Sequence, residues 1–229
     1  VEGSGQDITT IECACSSAHY HDALSATVSA TAITAEIRHL TINNTGGGNQ
    51  YNTGVWTENV ADGAFSMLHV TATATGGTLE NVGVYNFSNS SPSMNNVTAT
   101  AAGGTNNYGV YNVLSSSPSM NNVTATATAT GSTLNYGVFN DSSSPSMNNV
   151  TATAAGGTYS YGMYLVAYSS PTIRNSAITG TTNSIFNDSF LFPKVADTAL
   201  GGAVAGTGVF TCIGVYDTAF VRLGTSCAP

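Results

Sequence analysis

Apolar and polar residues alternate along most of this chain in blocks of four to six, and the blocks return at a fixed interval. The clearest block is V-T-A-T-A, in which Val97, Ala99 and Ala101 interleave with Thr98 and Thr100. Alternation sends successive side chains to opposite faces of a β-strand. Val and Ala therefore face inward and Thr faces outward. The same split holds for Leu40 and Ile42, Val70 and Ala72, and Val123 and Ala125. It predicts two outward columns, Thr71, Thr98, Thr124 and Thr151 beside Thr73, Thr100, Thr126 and Thr153. Each block follows an S-P-x-apolar-x-N segment and precedes a Y-G-V-Y-N segment, with Gly- or Ser-rich turns between them. All three segments are β-rich and too short for helices.

The interval identifies the architecture. SPSMNNVTATA occurs at residues 91–101, 117–127 and 144–154, so Met94, Met120 and Met147 lie 26 and 27 apart. Met67 lies 27 earlier, Ile173 lies 26 later, and Ile37 marks a more degenerate copy. The second motif keeps step through Gly54, Gly83, Gly109, Gly137, Gly162 and Ser184. A propeller blade needs about 40 residues, and a leucine-rich repeat needs a Leu lattice that is missing. The prediction is an all-β, right-handed parallel β-helix of about six coils of 26–30 residues, with three short strands per coil, spanning residues 36–190. Residues 1–35 and 191–229 are off-repeat and read as caps or assembly segments, because open solenoid ends invite pairing.

Three further columns carry expectations. Asn96, Asn122, Asn149 and Asn175 recur at the corner before the Thr strand. There they would form an amide ladder at a turn that tolerates left-handed backbone. The first three also head N-V-T glycosylation sequons; the sequons at Asn43, Asn86, Asn89, Asn140 and Asn187 lie nearer loops and are the expected glycan sites. An aromatic column, Trp56, Tyr85, Tyr111, Phe139, Tyr164 and Phe186, runs beside the aliphatic column Val55, Val84, Val110, Val138, Met163 and Ile185. The aliphatic column fits the core, which turns the aromatics outward, where a large apolar patch marks an interface; the alternative puts the rings inside and covers the aliphatic column with a loop.

Composition narrows the function. Only 7% of residues are charged and the net charge is −8 with four Lys and Arg, so no basic patch exists for nucleic acid. No apolar run reaches the roughly 18 residues of a membrane span. The chain starts at Val1 without Met, which fits a mature secreted protein after signal removal. Its four cysteines sit at the ends, Cys13 and Cys15, then Cys212 and Cys227, a disulfide pattern suited to an oxidising compartment. Cys212–Cys227 is the favoured bridge, since an i,i+2 bridge is strained; Cys13 and Cys15 then need partners, for which another subunit is one source.

The rhythm of S-P-T-I-R-N-S-A-I-T-G and Y-G-V-Y-N with Ser-rich turns resembles the right-handed β-helix repeats of the pectate-lyase-like superfamily over residues 36–190. The resemblance implies fold. Enzymes of that superfamily cut acidic polysaccharides with clustered Asp, Arg and Lys or bound calcium, but here only Glu80, Asp141 and Arg174 are charged between residues 63 and 187. No catalytic residue carries over. The Cys13, Cys15, His19 and His21 cluster has metal-compatible chemistry but matches no common metal spacing, so neither metal nor cofactor is expected. His39 and His69 share a repeat position and should stack.

The expected function is that of a non-enzymatic extracellular structural protein, a self-assembling (head-to-tail) subunit of a filament, sheath or surface stalk. The alternative is an adhesin that binds carbohydrate through the aromatic column, or ice through the Thr columns. A polysaccharide lyase or hydrolase comes third.

Overall fold

A computed structural model describes residues 9–13, 21–27, 35–46, 48 and 50–227. Every regular element in it is a β-strand, and nearly all pair in parallel with the equivalent strand one coil away. The result is a parallel β-solenoid of six full coils between residues 35 and 189. Two sheets form its walls. The Thr sheet has 13 strands and includes Ala35–Asn44, Phe65–Thr75, Ser93–Ala102 and Ser119–Thr128. The aromatic sheet has eight and includes Tyr51–Glu58, Glu80–Phe87, Asn106–Val113, Leu134–Asp141 and Tyr159–Ala167.

The S-P-x-apolar-x-N and V-T-A-T-A segments, expected as separate strands, share the Thr sheet and meet at a bend. The bend is the corner column, whose members all adopt left-handed backbone: His39, His69, Asn96, Asn122, Asn149, Asn175 and Asp197 have φ between 47° and 55°. Asn, Asp and His are the residues that tolerate this conformation best. His39 and His69 stack with ring centroids 5.0 Å apart.

The core is one continuous apolar stack between the sheets. Met67, Met94, Met120, Met147, Ile173, Val195 and Cys212 succeed one another in register, and all are buried. They face Val55, Val84, Val110, Val138, Met163 and Ile185, which have no exposure at all. The glycine of Y-G-V-Y-N sits where the two sheets approach most closely. A Cβ on Gly109 would lie 2.6 Å from both the Gly137 carbonyl oxygen and the Thr126 nitrogen.

The solenoid does not stop at residue 190, where the repeat was expected to give way to a separate module. Lys194–Ala196 and Thr211–Ile213 continue the Thr sheet. The coil shortens, from 26 residues (Met147 to Ile173) to 22 (Ile173 to Val195) and 17 (Val195 to Cys212). Residues 218–227 then fold back across the last coil. Tyr216 bridges Arg222 antiparallel, Leu223 N–H donates to the Val215 carbonyl (2.8 Å), and Cys212 N–H donates to the Thr225 carbonyl (2.9 Å). The Cys212–Cys227 disulfide, with Cα atoms 5.5 Å apart, pins this flap. Cys13 is also disulfide-bonded; Cys15 lies outside the described residues.

Reduction should release the flap. Closing a loop of 15 residues contributes about 3 kcal/mol in the chain-entropy treatment. We expect the amides of Cys212 and Leu223 to exchange much faster in reductant while those of Met94 and Met120 keep their protection. Uniform loss of protection would show that the disulfide holds the whole stack.

Candidate functional surfaces

Polar ladders run from coil to coil inside the solenoid. Asn81, Asn107 and Asn135 are buried at the start of the aromatic strands. Asn107 Nδ2 donates to Asn135 Oδ1 (2.9 Å) and Asn81 Nδ2 to Asn107 Oδ1 (3.3 Å); their oxygens also accept from the Gly77 and Gly104 N–H groups. A second ladder runs at the strand ends. Thr57 Oγ1 donates to Asn86 Oδ1 (2.6 Å), Asn86 Nδ2 to Asn112 Oδ1 (2.8 Å), and Asn112 Nδ2 to Asn140 Oδ1 (2.8 Å). The next rung is Leu165, in register with Asn140, and Asn140 Nδ2 is left without a partner. A third ladder passes from the N–H of Ser90, Ser116, Ser143 and Ser169 to the hydroxyls of Ser116, Ser143, Ser169 and Ser189.

These ladders correct the glycosylation assignment. Asn86, Asn140 and Asn187 are fully buried, and a folded coil has no room for a glycan on them. Asn89 is exposed and Asn43 half-buried. The corner residues Asn122, Asn149 and Asn175 are exposed and Asn96 is half-buried, so the N-V-T sequons are accessible together with Asn89. The corner amides still bond between coils: Asn149 Nδ2 donates to Asn122 Oδ1, and Asn175 Nδ2 to Asn148 Oδ1 (3.0 Å). The signal for the buried ladders was Asn recurring two before and three after the motif glycine.

The aromatic column faces outward and forms a cluster separate from the core, joined by Tyr108, Tyr136 and Tyr161. Its rings stack on each other. Tyr85 and Tyr111 lie 4.7 Å apart at 4°, Phe139 and Tyr164 5.3 Å at 7°, and Tyr164 and Phe186 5.0 Å at 3°. Tyr108 stacks on both Tyr111 and Tyr136. Such pairs contribute about 0.5–1.5 kcal/mol each beyond area burial. Trp56 packs edge-on against Tyr85.

Among the described residues, every charge in this sheet's strands is acidic: Asp22, Glu58, Glu80, Asp141 and Asp188. Glu80 is in register with Asn106, and Asn106 with Leu134. Asp141 lies seven residues further along that strand, about 23 Å at 3.3 Å per residue. A glycosidase pair needs carboxylates about 5–10 Å apart, so these two do not form one.

Burial raises the Glu80 carboxyl from 4.5 to about 7, and the carboxyl in turn helps push the neighbouring Tyr108 hydroxyl up, after burial itself. Below pH 4.5 the carboxyl is neutral in both folded and unfolded chains. Between about 4.5 and 7 the unfolded chain releases a proton that the folded chain keeps, so stability falls as pH rises. Above 7 the penalty is complete, on the order of 3 kcal/mol. Glu80→Gln should flatten this descent and raise the melting temperature at pH 8. Parallel melting curves for the two proteins across this range would show that Glu80 is not its source.

The Thr columns stand in register on the outer face of the Thr sheet: Thr71, Thr98, Thr124 and Thr151, beside Thr73, Thr100, Thr126 and Thr153. All are exposed or half-buried. Near the flap, a cavity of about 350 Å³ is lined by Leu200, Val204, Asp217 and Leu223. Its carboxylate, Asp217, is engaged by the Ala219 and Val221 N–H groups. Among the described residues, no three His, Cys, Asp or Glu side chains gather as a metal site, and no helix is long and apolar enough to cross a membrane. Of the candidate metal cluster, Cys15 and His19 lie outside the described residues. No family model, curated protein or solved structure matches the chain.

Proposed function

We propose that this chain is an extracellular structural protein, a self-assembling subunit of a filament, sheath or surface stalk that does no catalysis of its own. The observation that carries this reading is the saturation of the solenoid by coil-to-coil ladders. Asn, Ser and aromatic columns all spend their bonding capacity on the next coil, which builds a stiff rod. A disulfide-pinned end suits an oxidising exterior. Membership of the pectate-lyase-like superfamily as a non-enzymatic secreted member, and glycosylation at the accessible sequons, belong to the same proposal.

Head-to-tail association would run through the flap. Its backbone already occupies the last strand edge, so the joint would be made by side chains, with Phe220 83% and Ile213 65% exposed at that end. The carbohydrate alternative is weaker, because sugars stack on ring faces and these faces are turned onto one another. Sedimentation velocity across a concentration series tests the joint. The expected result is concentration-dependent growth that Phe220→Ser with Ile213→Ser removes. A monomer at every concentration would refute self-assembly.

A further inference from the structure

We propose that the outer face of the Thr sheet is an ice-binding surface. The inference is independent of the structural role above and rests on a contrast within the molecule. Elsewhere, polar columns bond from coil to coil. The hydroxyls of Thr71, Thr73, Thr98, Thr100, Thr124, Thr126, Thr151 and Thr153 have no hydrogen-bond partner among the described residues. Neighbouring strands lie about 4.8 Å apart, too far for one Thr hydroxyl to reach the next. Each hydroxyl is therefore left for something outside the protein.

The face is regular in two directions. Strand pairing fixes the columns in register, extended by Thr41 at one end and Thr179 at the other. The repeat is about 4.8 Å along a column and about 6.7 Å between columns, two residues along a strand. Thr is β-branched, with few χ1 rotamers, so equivalent rungs repeat both methyl and hydroxyl positions. Behind them Ala72, Ala99, Ala125 and Ala152 pack with no exposure, which gives each rung the same small-residue backing. The strands between Phe65 and Ala155 carry no Asp, Glu, Lys or Arg on this sheet.

A regular, uncharged lattice that alternates methyls with single hydroxyls fits ordered water. The methyls hold first-layer water in cages, and the hydroxyls anchor the cages in register. A crystalline polysaccharide is the competing occupant, but the columns offer neither aromatic ring faces nor bidentate amides to grip a sugar.

The test freezes a dilute solution of the fluorescently labelled full chain slowly and measures its partition into the growing ice, with crystal shape recorded alongside. Wild type should enter the ice and facet the crystals. Thr100→Lys with Thr124→Lys should lose both effects while keeping the wild-type circular dichroism and melting temperature. Tyr168→Ser, an exposed change away from the face, should retain both. Exclusion of wild type from ice, undiminished incorporation of the double Lys variant, or Thr-dependent retention on cellulose or chitin without ice incorporation would each overturn the proposal.

Discussion

Gly109→Ala should destabilise the protein by about 3 kcal/mol or more, although it adds a single methyl group. The added Cβ would lie 2.6 Å from the Gly137 carbonyl oxygen in the next coil and 2.6 Å from the Thr126 nitrogen in the facing sheet. Both are backbone atoms locked in parallel ladders, so neither can turn aside as a flexible side chain would. Relief requires the two sheets to separate, which opens a gap beside Val110 and Ala125. Gly131, in an exposed turn with open space around its Cβ, should tolerate Ala better, at the cost of its positive φ alone. Chemical denaturation of both variants checks this. A Gly109→Ala cost no larger than that of Gly131→Ala would show that the sheets approach less closely.

Asn112→Leu should cost about 2–4 kcal/mol even though Leu is apolar and similar in size. Asn112 is the middle rung of a buried ladder: it accepts from Asn86 Nδ2 and donates to Asn140 Oδ1. Replacing it strands a donor above and an acceptor below, and each orphaned buried group costs about 1–3 kcal/mol. Asn140 supplies the control, because its Nδ2 already lacks a partner where Leu165 ends the ladder. Leu165→Asn should therefore be far milder than Asn112→Leu, since it gives that orphan an acceptor while losing apolar burial. Equal costs for the two variants would mean that the ladder does not act as a bonded unit.

The coil was legible because its interval is carried by rigid requirements. Glycine is needed at each close approach, Met or Ile beneath each corner, and Asn, His or Asp at the left-handed bend. The end of the solenoid was not, because Ile173, Val195 and Cys212 continue one column at shrinking intervals, and a search for a period of 26 to 30 passes over them. Asn86 and Asn140 were misplaced for another reason. A sequon at a strand end was placed near a loop, but with the rings outward the alternation carries these amides inward, where they are buried. The neighbouring Val84 and Val138 break the strict alternation at the glycine, where two consecutive residues face the core. What the rod does depends on surfaces whose occupants leave little trace in sequence. The in-register Thr columns were visible, whereas the mutual stacking of the aromatic rings depends on side-chain orientation and appears only in three dimensions.

The most direct test of the structural reading is electron microscopy with fibre diffraction on the purified full chain. Long uniform fibres, with a meridional reflection near 4.8 Å from coils stacked along the fibre axis, are the result this account predicts. Dispersed rods of single-molecule length at every concentration would contradict it.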